Sequence, residues 1–364
     1  MKPPLNLVTV PLKAQYEPYR EEILAAFSRV LDHGEFILGP EVEALEESLS
    51  QYLGVRHAIG VSSCTEGMVI TLDALGISPG DEVICPAYTF FATAQAIARR
   101  GATPVLCDID RTTLNLSPSD VERRVTERTK AIVAVHLCGR AAPVDELPGG
   151  LPVIEDAAQA FGASLDGRRV GSLGLASAFS FFPQKNLFCF GDGGLVATND
   201  DDLAERVRLL RRHGTPDLRR YLLVGYNARL DALQAAVLRL FLPHIDRWNQ
   251  ERREAAMRYR ELGLGELCEL PSDERGHVYH LFPVRTDKAQ PVIESIGREG
   301  IAITTLFPTP FHLEPVFDYL GYGPGSLPET EAAAREMVSL PIWPGMPEEL
   351  QKTIVDAFRR GLSS

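Results

Sequence analysis

A largely parallel α/β sheet with helices on both faces is the architecture this sequence predicts, and two observations carry that expectation. Between residues 58 and 181, short apolar runs of strand length alternate with helical stretches. Cys64-Thr65, Tyr88-Thr89-Phe90, His136, Asp156 and Ser180 all fall at or just after the ends of those runs. Parallel sheets bind their ligands beyond the carboxyl ends of the strands, so these distant residues are expected to converge on one crevice.

The elements follow in order. Residues 17–32 read as an amphipathic helix, with Ile23, Leu24, Phe27, Val30 and Leu31 at helical spacing and Gly34 and Gly39-Pro40 as punctuation. Residues 41–53 form a second helix. Strand Ala58–Ser62, helix 65–76, strand Glu82–Cys85 and helix 89–100 come next. Strand Val105–Asp108, helix 117–128 and strand Ala131–His136 continue the alternation, followed by strands Val153–Asp156 and Ala176–Phe181. After about residue 200 the pattern changes. Helices are expected over 201–212 and 230–262, then a strand over His277–Val284 in which Pro283 marks an end or an edge. A helix at 291–299, a short strand Ile301–Thr305 and a helical stretch at 329–338 within a Pro- and Gly-rich region complete the reading. The change divides the chain into a large domain, 1–240, and a smaller C-terminal α+β domain, 241–364, with the boundary inside the long helix.

Composition excludes several classes of function. The chain has 364 residues, 45% of them hydrophobic and 24% charged, as in ordinary soluble globular proteins. Its net charge of −12 argues against general nucleic-acid binding, which needs a basic surface. A local basic pocket for one small anion stays open. The six cysteines lack C-x-x-C spacing, so no zinc site is expected. No signal peptide opens the chain and no apolar run reaches the ~20 residues of a spanning helix, so no membrane partner is expected. A reducing cytoplasm is the expected setting.

The chemistry centres on Lys185, set in Phe181-Phe182-Pro183-Gln184-Lys185-Asn186-Leu187-Phe188 and followed by Gly191-Asp192-Gly193-Gly194. A single lysine is ordinarily a solvated surface residue. Among such apolar neighbours it lines a pocket instead, and burial lowers its pKa and favours imine formation. Asp156 lies twenty-nine residues upstream, at the end of a strand-like run. Taken alone, it reads first as a helix N-cap. Paired with a lysine, it is the carboxylate that pyridoxal phosphate (PLP) chemistry needs at the ring nitrogen. Glu155 should face the other way by strand alternation, and Gln159 lies one helical turn later on the Asp156 side. Ser62-Ser63-Cys64-Thr65-Glu66-Gly67 closes a strand and opens a helix, which makes either an ordinary cap or a phosphate cradle. Only the backbone of Glu66 suits a phosphate; Ser180 offers a further hydroxyl. Phe90 suits either stacking on the pyridine face or core packing, with Phe91 the better core member.

Together these segments resemble the DegT/StrS-type sugar aminotransferases, PLP enzymes of the aspartate-aminotransferase-like fold, type I. The resemblance spans nearly the whole chain, through Phe36-Ile37-Leu38-Gly39-Pro40-Glu41-Val42, Gly80-Asp81-Glu82-Val83-Ile84, Glu155-Asp156-Ala157-Ala158-Gln159, Gly225-Tyr226-Asn227-Ala228-Arg229-Leu230 and Pro310-Phe311-His312-Leu313. It implies that Lys185 holds the cofactor and shuttles protons, that Asp156 pairs with the pyridine nitrogen and that Gln159 bonds near the ring hydroxyl. It implies stacking by Phe90 and phosphate contacts from Thr65, the Glu66 amide and Ser180. Asn227 matches a residue that reaches the phosphate from the neighbouring subunit, which implies a homodimer with shared sites. Arg229 is the matching candidate for an anionic substrate group.

The chain departs from the family pattern in Cys64, where glycine is frequent, in Phe182, where histidine is frequent, and in Leu306-Phe307, where His-Tyr is frequent. The run Phe-Phe-Pro before the lysine is similar to members that aminate the 3-position of a nucleotide-linked keto sugar. The implied reaction moves an amine from an amino acid, L-glutamate by expectation, to such a sugar, for polysaccharide (lipopolysaccharide included) or glycoside biosynthesis. Two rivals stand beside it. One is a PLP-dependent sugar dehydratase, which Lys185 opposes, because such relatives carry histidine there. The other is a regulatory or sensory protein that keeps the fold without catalysis.

Overall fold

Strand-length runs that are apolar on both sides must be covered on both faces, and the alternating helical stretches supply that cover. The computed structural model describes residues 11–363. The main sheet contains β1 (His57–Val61), β2 (Glu82–Pro86), β3 (Thr103–Cys107), β4 (Thr129–Val135), β5 (Val153–Asp156), β8 (Ala176–Ser180) and β9 (Gly194–Thr198). A small hairpin of β6 (Ser164–Leu165) and β7 (Arg168–Arg169) lies between β5 and β8 in sequence. The main-sheet order is β1-β9-β8-β5-β4-β2-β3, and β9 alone runs antiparallel to its neighbours. The expected mainly parallel α/β sheet is therefore present.

Helices α1 (Leu12–Tyr16), α2 (Arg20–His33) and α3 (Pro40–Leu53) precede β1. Crossovers are made by α4 (Cys64–Ala74), α5 (Ala92–Arg99) and α6 (Pro118–Arg124), and α7 (Asp201–Leu210) follows β9. Strand alternation sorts the faces. Val83, Cys85, Val133 and Ile154 pack with Met68 and Leu72 of α4 and Ile97 of α5. Ile84, Ile132 and Ala134 point the other way, against Val121 of α6.

After α8 (Ala232–Phe241) and α9 (Ile245–Glu261), a second sheet forms in the order β10-β12-β11 from β10 (Phe282–Arg285), β11 (Thr304–Thr305) and β12 (Met337–Leu340). It packs with α9, α10 (Ala289–Arg298) and α12 (Glu348–Leu362) around Tyr259, Phe282, Val292, Val338 and Phe358. α11 (Pro328–Glu336) leads into β12.

Several expectations are corrected. The single helix over 230–262 is two, parted by a turn at Leu242–His244. Pro243 has no N–H for the helical ladder, which ends α8 there. The strand over His277–Val284 shrinks to β10, because Val278 and Leu281 instead donate their amides to Gly139 and Cys138. The helix at 329–338 stops at Glu336, where the chain turns extended into β12. β9 and α12 were not anticipated. Residues beyond 306 do not all stay with the second sheet: Phe311, Phe317 and Leu327 join the α4–α5 core.

Candidate active site

The carboxyl end of β5 separates two adjacent carboxylates. Asp156 shares a face with Ile154 and meets α4 and α5. Its Oδ2 accepts from Thr93 Oγ1 at 2.7 Å, and its Oδ1 accepts from the Ala158 amide at 3.2 Å and lies 3.8 Å from Cys64 Sγ. No helix begins at residue 157, so the N-cap reading is excluded. Glu155 is fully buried on the opposite face. It accepts from the amides of Gly171, Leu173 and Gly174 at 2.7, 2.9 and 2.8 Å and from His136 Nε2 at 2.9 Å. His136 Nδ1 accepts from the Ala142 amide, so its proton sits on Nε2. His136 therefore belongs with Glu155 and does not join the crevice, contrary to the strand-end expectation.

Lys185 sits on a loop pinned at three points. Phe181 N–H donates to Gly193 O, Lys185 N–H to Phe182 O and Cys189 N–H to Phe181 O, each at 2.8 Å. The side chain is half-buried, and among the described residues its amine makes no hydrogen bond or ion pair. Burial lowers its pKa below the usual lysine range, opposed by the neighbouring Cys64, Asp156 and Cys138. Of these, Asp156 is the standing negative charge, because burial pushes both thiols up and keeps them neutral.

The start of α4 lies at the same place. Ser63 caps the helix, its Oγ accepting from the Glu66 amide at 3.1 Å. The Cys64 and Thr65 amides have no intrahelical acceptor and are left for a ligand. The Glu66 amide, expected among the phosphate donors, is thus engaged by its own cap. The Glu66 carboxylate is drawn off to Arg99 on α5. Gly194 opens β9 against this turn, where a Cβ would stand 2.4 Å from Ser63 C, so only glycine allows the approach.

Ser180 ends β8, and its Oγ accepts from the Phe182 amide at 3.3 Å. Gln159 Oε1 accepts from the Cys138 amide at 2.7 Å, which ties it to the segment after β4. Phe90 is 63% exposed, while Phe91 packs on Phe311 and Phe317. Asn227 is exposed and accepts from Arg229 Nη2 at 2.5 Å, and the buried Arg229 Nε has no partner among the described residues. Their segment runs beside the end of its own β1, with Ser62 N–H donating to Ala228 O at 3.1 Å. Thr93 was missed in sequence; its only signal is its place one helical turn after Thr89, whose hydroxyl lies 3.3 Å away. Asn186, also unassigned, is buried beside Lys185.

Among the described residues no group of three or more His, Cys, Asp or Glu side chains is placed to hold a metal, all six cysteines are free, and no helix is long and apolar enough to cross a membrane.

An α/β sheet that presents a desolvated, unpaired lysine and a strand-end aspartate beside a helix start has the elements of an amine-transferring active site. The chain belongs to the DegT/DnrJ/EryC1/StrS aminotransferase family, whose model matches residues 18–359. It is 45% identical to a pleiotropic regulatory protein of Geobacillus stearothermophilus, over 97% of each chain. It is 43% identical to dTDP-3-amino-3,4,6-trideoxy-alpha-D-glucose transaminase of Streptomyces venezuelae, over 96% of this chain and 94% of that one. The crystal structure of S. venezuelae DesV in complex with a ketimine intermediate superposes with a TM-score of 0.93 at 43% identity, covering 96% of both chains.

Proposed function

We propose that this aminotransferase uses pyridoxal phosphate to move an amino group from L-glutamate to the 3-keto group of a nucleotide-linked sugar. The observation that carries the reading is the Lys185 amine, desolvated and unpaired beside Asp156. An amine kept without a partner in such surroundings has a partner to gain, and the cofactor aldehyde is the group that fits it. When bound, the cofactor supplies that aldehyde and a ring that spreads the negative charge left on the donor's α-carbon.

The residues then have separate tasks. Lys185 Nζ, with its lowered pKa, takes the proton from the donor's α-carbon. Asp156, fixed by Thr93 and the Ala158 amide, would hold a proton at the ring nitrogen. The Cys64 and Thr65 amides and the Ser180 hydroxyl suit the phosphate, and Gln159 suits the ring hydroxyl. Phe90 keeps an exposed ring available for stacking. Asn227 and Arg229 serve the site of a second copy, Asn227 at the phosphate and Arg229 at an anionic group of the substrate.

The 3-keto sugar is favoured by the Phe181-Phe182-Pro183 run and by the similarity to the 3-amino-sugar transaminase of S. venezuelae. The product serves a cell-surface polysaccharide or a glycoside, made in the cytoplasm. A regulatory role has support in two relatives' names, the pleiotropic regulatory protein of G. stearothermophilus and a sensory transduction protein of Saccharopolyspora erythraea. Absorbance separates the two readings. With cofactor, the protein is expected to show a band near ~400 nm that L-glutamate replaces with one near ~330 nm. A band unmoved by glutamate favours another donor or the regulatory reading; a colourless protein overturns the role of Lys185.

A further inference from the structure

The residue next to Lys185 is held more tightly than a loop residue needs to be. Asn186 is 3% exposed, and its side chain makes three hydrogen bonds. Nδ2 donates to Asn249 Oδ1 at 2.7 Å and to Val278 O at 3.2 Å, and Oδ1 faces His280 Nδ1 at 3.0 Å. A backbone carbonyl only accepts, so the contact with Val278 O fixes which end of the amide is nitrogen. Oδ1 must then accept, and His280 carries its proton on Nδ1. Burial, with Lys185 and Arg252 nearby, pushes the His280 pKa well down, which keeps the ring neutral and consistent with a single Nδ1–H.

Each partner of Asn186 is itself tied to the cofactor side of the site. Asn249 on α9 donates to Phe161 O at 3.0 Å, in the loop that follows Asp156 and Gln159. Val278 N–H donates to Gly139 O at 3.0 Å, next to the Cys138 amide that holds Gln159. Gly139 has φ +94°, and a Cβ there would lie 2.8 Å from the His280 amide nitrogen, so the 278–280 segment is seated directly on the turn that follows β4. α9 grips the same segment again through Arg252, which donates to the carbonyls of Tyr279 and His280.

We propose that Asn186 is a positioning residue that sets the Lys185 amine against Asp156 by clamping its loop to α9 and to the 278–280 segment. The inference rests on the reading of Lys185 given above. Without the clamp the loop keeps its three backbone bonds and its apolar packing but loses, among the described residues, its side-chain hydrogen bonds to α9 and to the 278–280 segment. A misplaced amine slows proton transfer without weakening donor binding.

The test compares Asn186→Ala, His280→Phe and their double variant with the parent enzyme, well below the melting temperature of each. Asn186→Ala is expected to lower kcat about 10-fold with the KM for L-glutamate within about 2-fold. In the cofactor-free protein, amide hydrogen exchange over residues 181–190 is expected to quicken at least about 10-fold. The double variant is expected to be no slower than Asn186→Ala alone, because both changes break one clamp. Parental kcat and parental exchange in Asn186→Ala overturn the proposal. So does a double variant whose losses multiply. Should Asn186→Ala fail to fold, His280→Phe alone decides by the same two readouts. Lys185→Ala is the control: if it keeps parental turnover, the reading of Lys185 has failed; if it is inactive while Asn186→Ala is parental, the clamp alone has failed.

Discussion

At the scale of single residues, the adjacent carboxylates Glu155 and Asp156 show how strand alternation divides work. Glu155 accepts four hydrogen bonds on the buried face, while Asp156 meets Thr93 and Cys64 on the face of the candidate site. Substitution should therefore separate stability from turnover. Glu155→Gln puts a donor where only donors already point, and is expected to cost about 2–3 kcal/mol of unfolding free energy in urea while keeping most of kcat. Asp156→Asn is expected to leave stability nearly intact and to lower kcat at least about 100-fold. The opposite pattern would mean that Glu155 is the working carboxylate. Thr93→Val removes the 2.7 Å bond to Asp156 and is expected to lower kcat/KM about 10-fold with little change in melting temperature, measured side by side. The orientation of Asp156 was legible in sequence because strand alternation needs only local order. Thr93 was not, because its hydroxyl meets Asp156 across sixty-three residues of chain.

At the scale of elements, legibility follows the same division between local and distant causes. The crossover helices and parallel strands announce themselves by apolar period and length. β9 does not. Its run Gly194-Leu195-Val196-Ala197-Thr198 begins inside a glycine cluster, and its place between β1 and β8 is set by packing of Gly194 on the Ser63–Cys64 turn. The 277–281 segment fails as a strand for a related reason: its amides are used to dock on Cys138 and Gly139. That docking predicts an acid response. Burial holds His277 at about 3, aided by the charges of Arg140 and Arg253 and opposed by its bond to Cys138 O and by Asp273. The unfolded chain protonates the same ring at about 6.5. The folded state thus binds fewer protons between these values, and stability falls as pH drops below about 6.5, by about 1.4 kcal/mol per pH unit for this histidine. Unfolding free energies at pH 6, 5 and 4 are expected to fall less steeply by that amount in His277→Gln. An unchanged slope would show that His277 is protonated in the folded protein.

At the scale of the whole molecule, part of the exposed apolar surface lies on segments that carry or adjoin candidate site residues. Phe36 and Ile37 stand exposed where their segment pairs with residues 230–232, through Leu38 N–H to Leu230 O and Ala232 N–H to Phe36 O. The chain leading into Asn227 carries exposed Leu218, Tyr221, Leu222 and Val224, the last 95% exposed. Phe90 and Phe182, the latter three residues before Lys185, add exposed rings. Surface of this kind marks an interface, and a second copy is the occupant we propose, with Asn227 and Arg229 completing the partner's site. The claim that sites are shared has a sharp consequence. Lys185→Ala and Asn227→Ala are each expected to be nearly inactive as pure proteins. Mixed under conditions that exchange subunits, half of the dimers become hybrids. If the two residues of one site come from different chains, a hybrid has one site with both defects and one with neither. Turnover should then recover to about a quarter of the parental value at equal mixing. If Asn227 serves the site of its own chain, every site in every dimer keeps one defect. Mixing then restores nothing, and the shared-site reading falls while the roles of Lys185 and Asp156 stand.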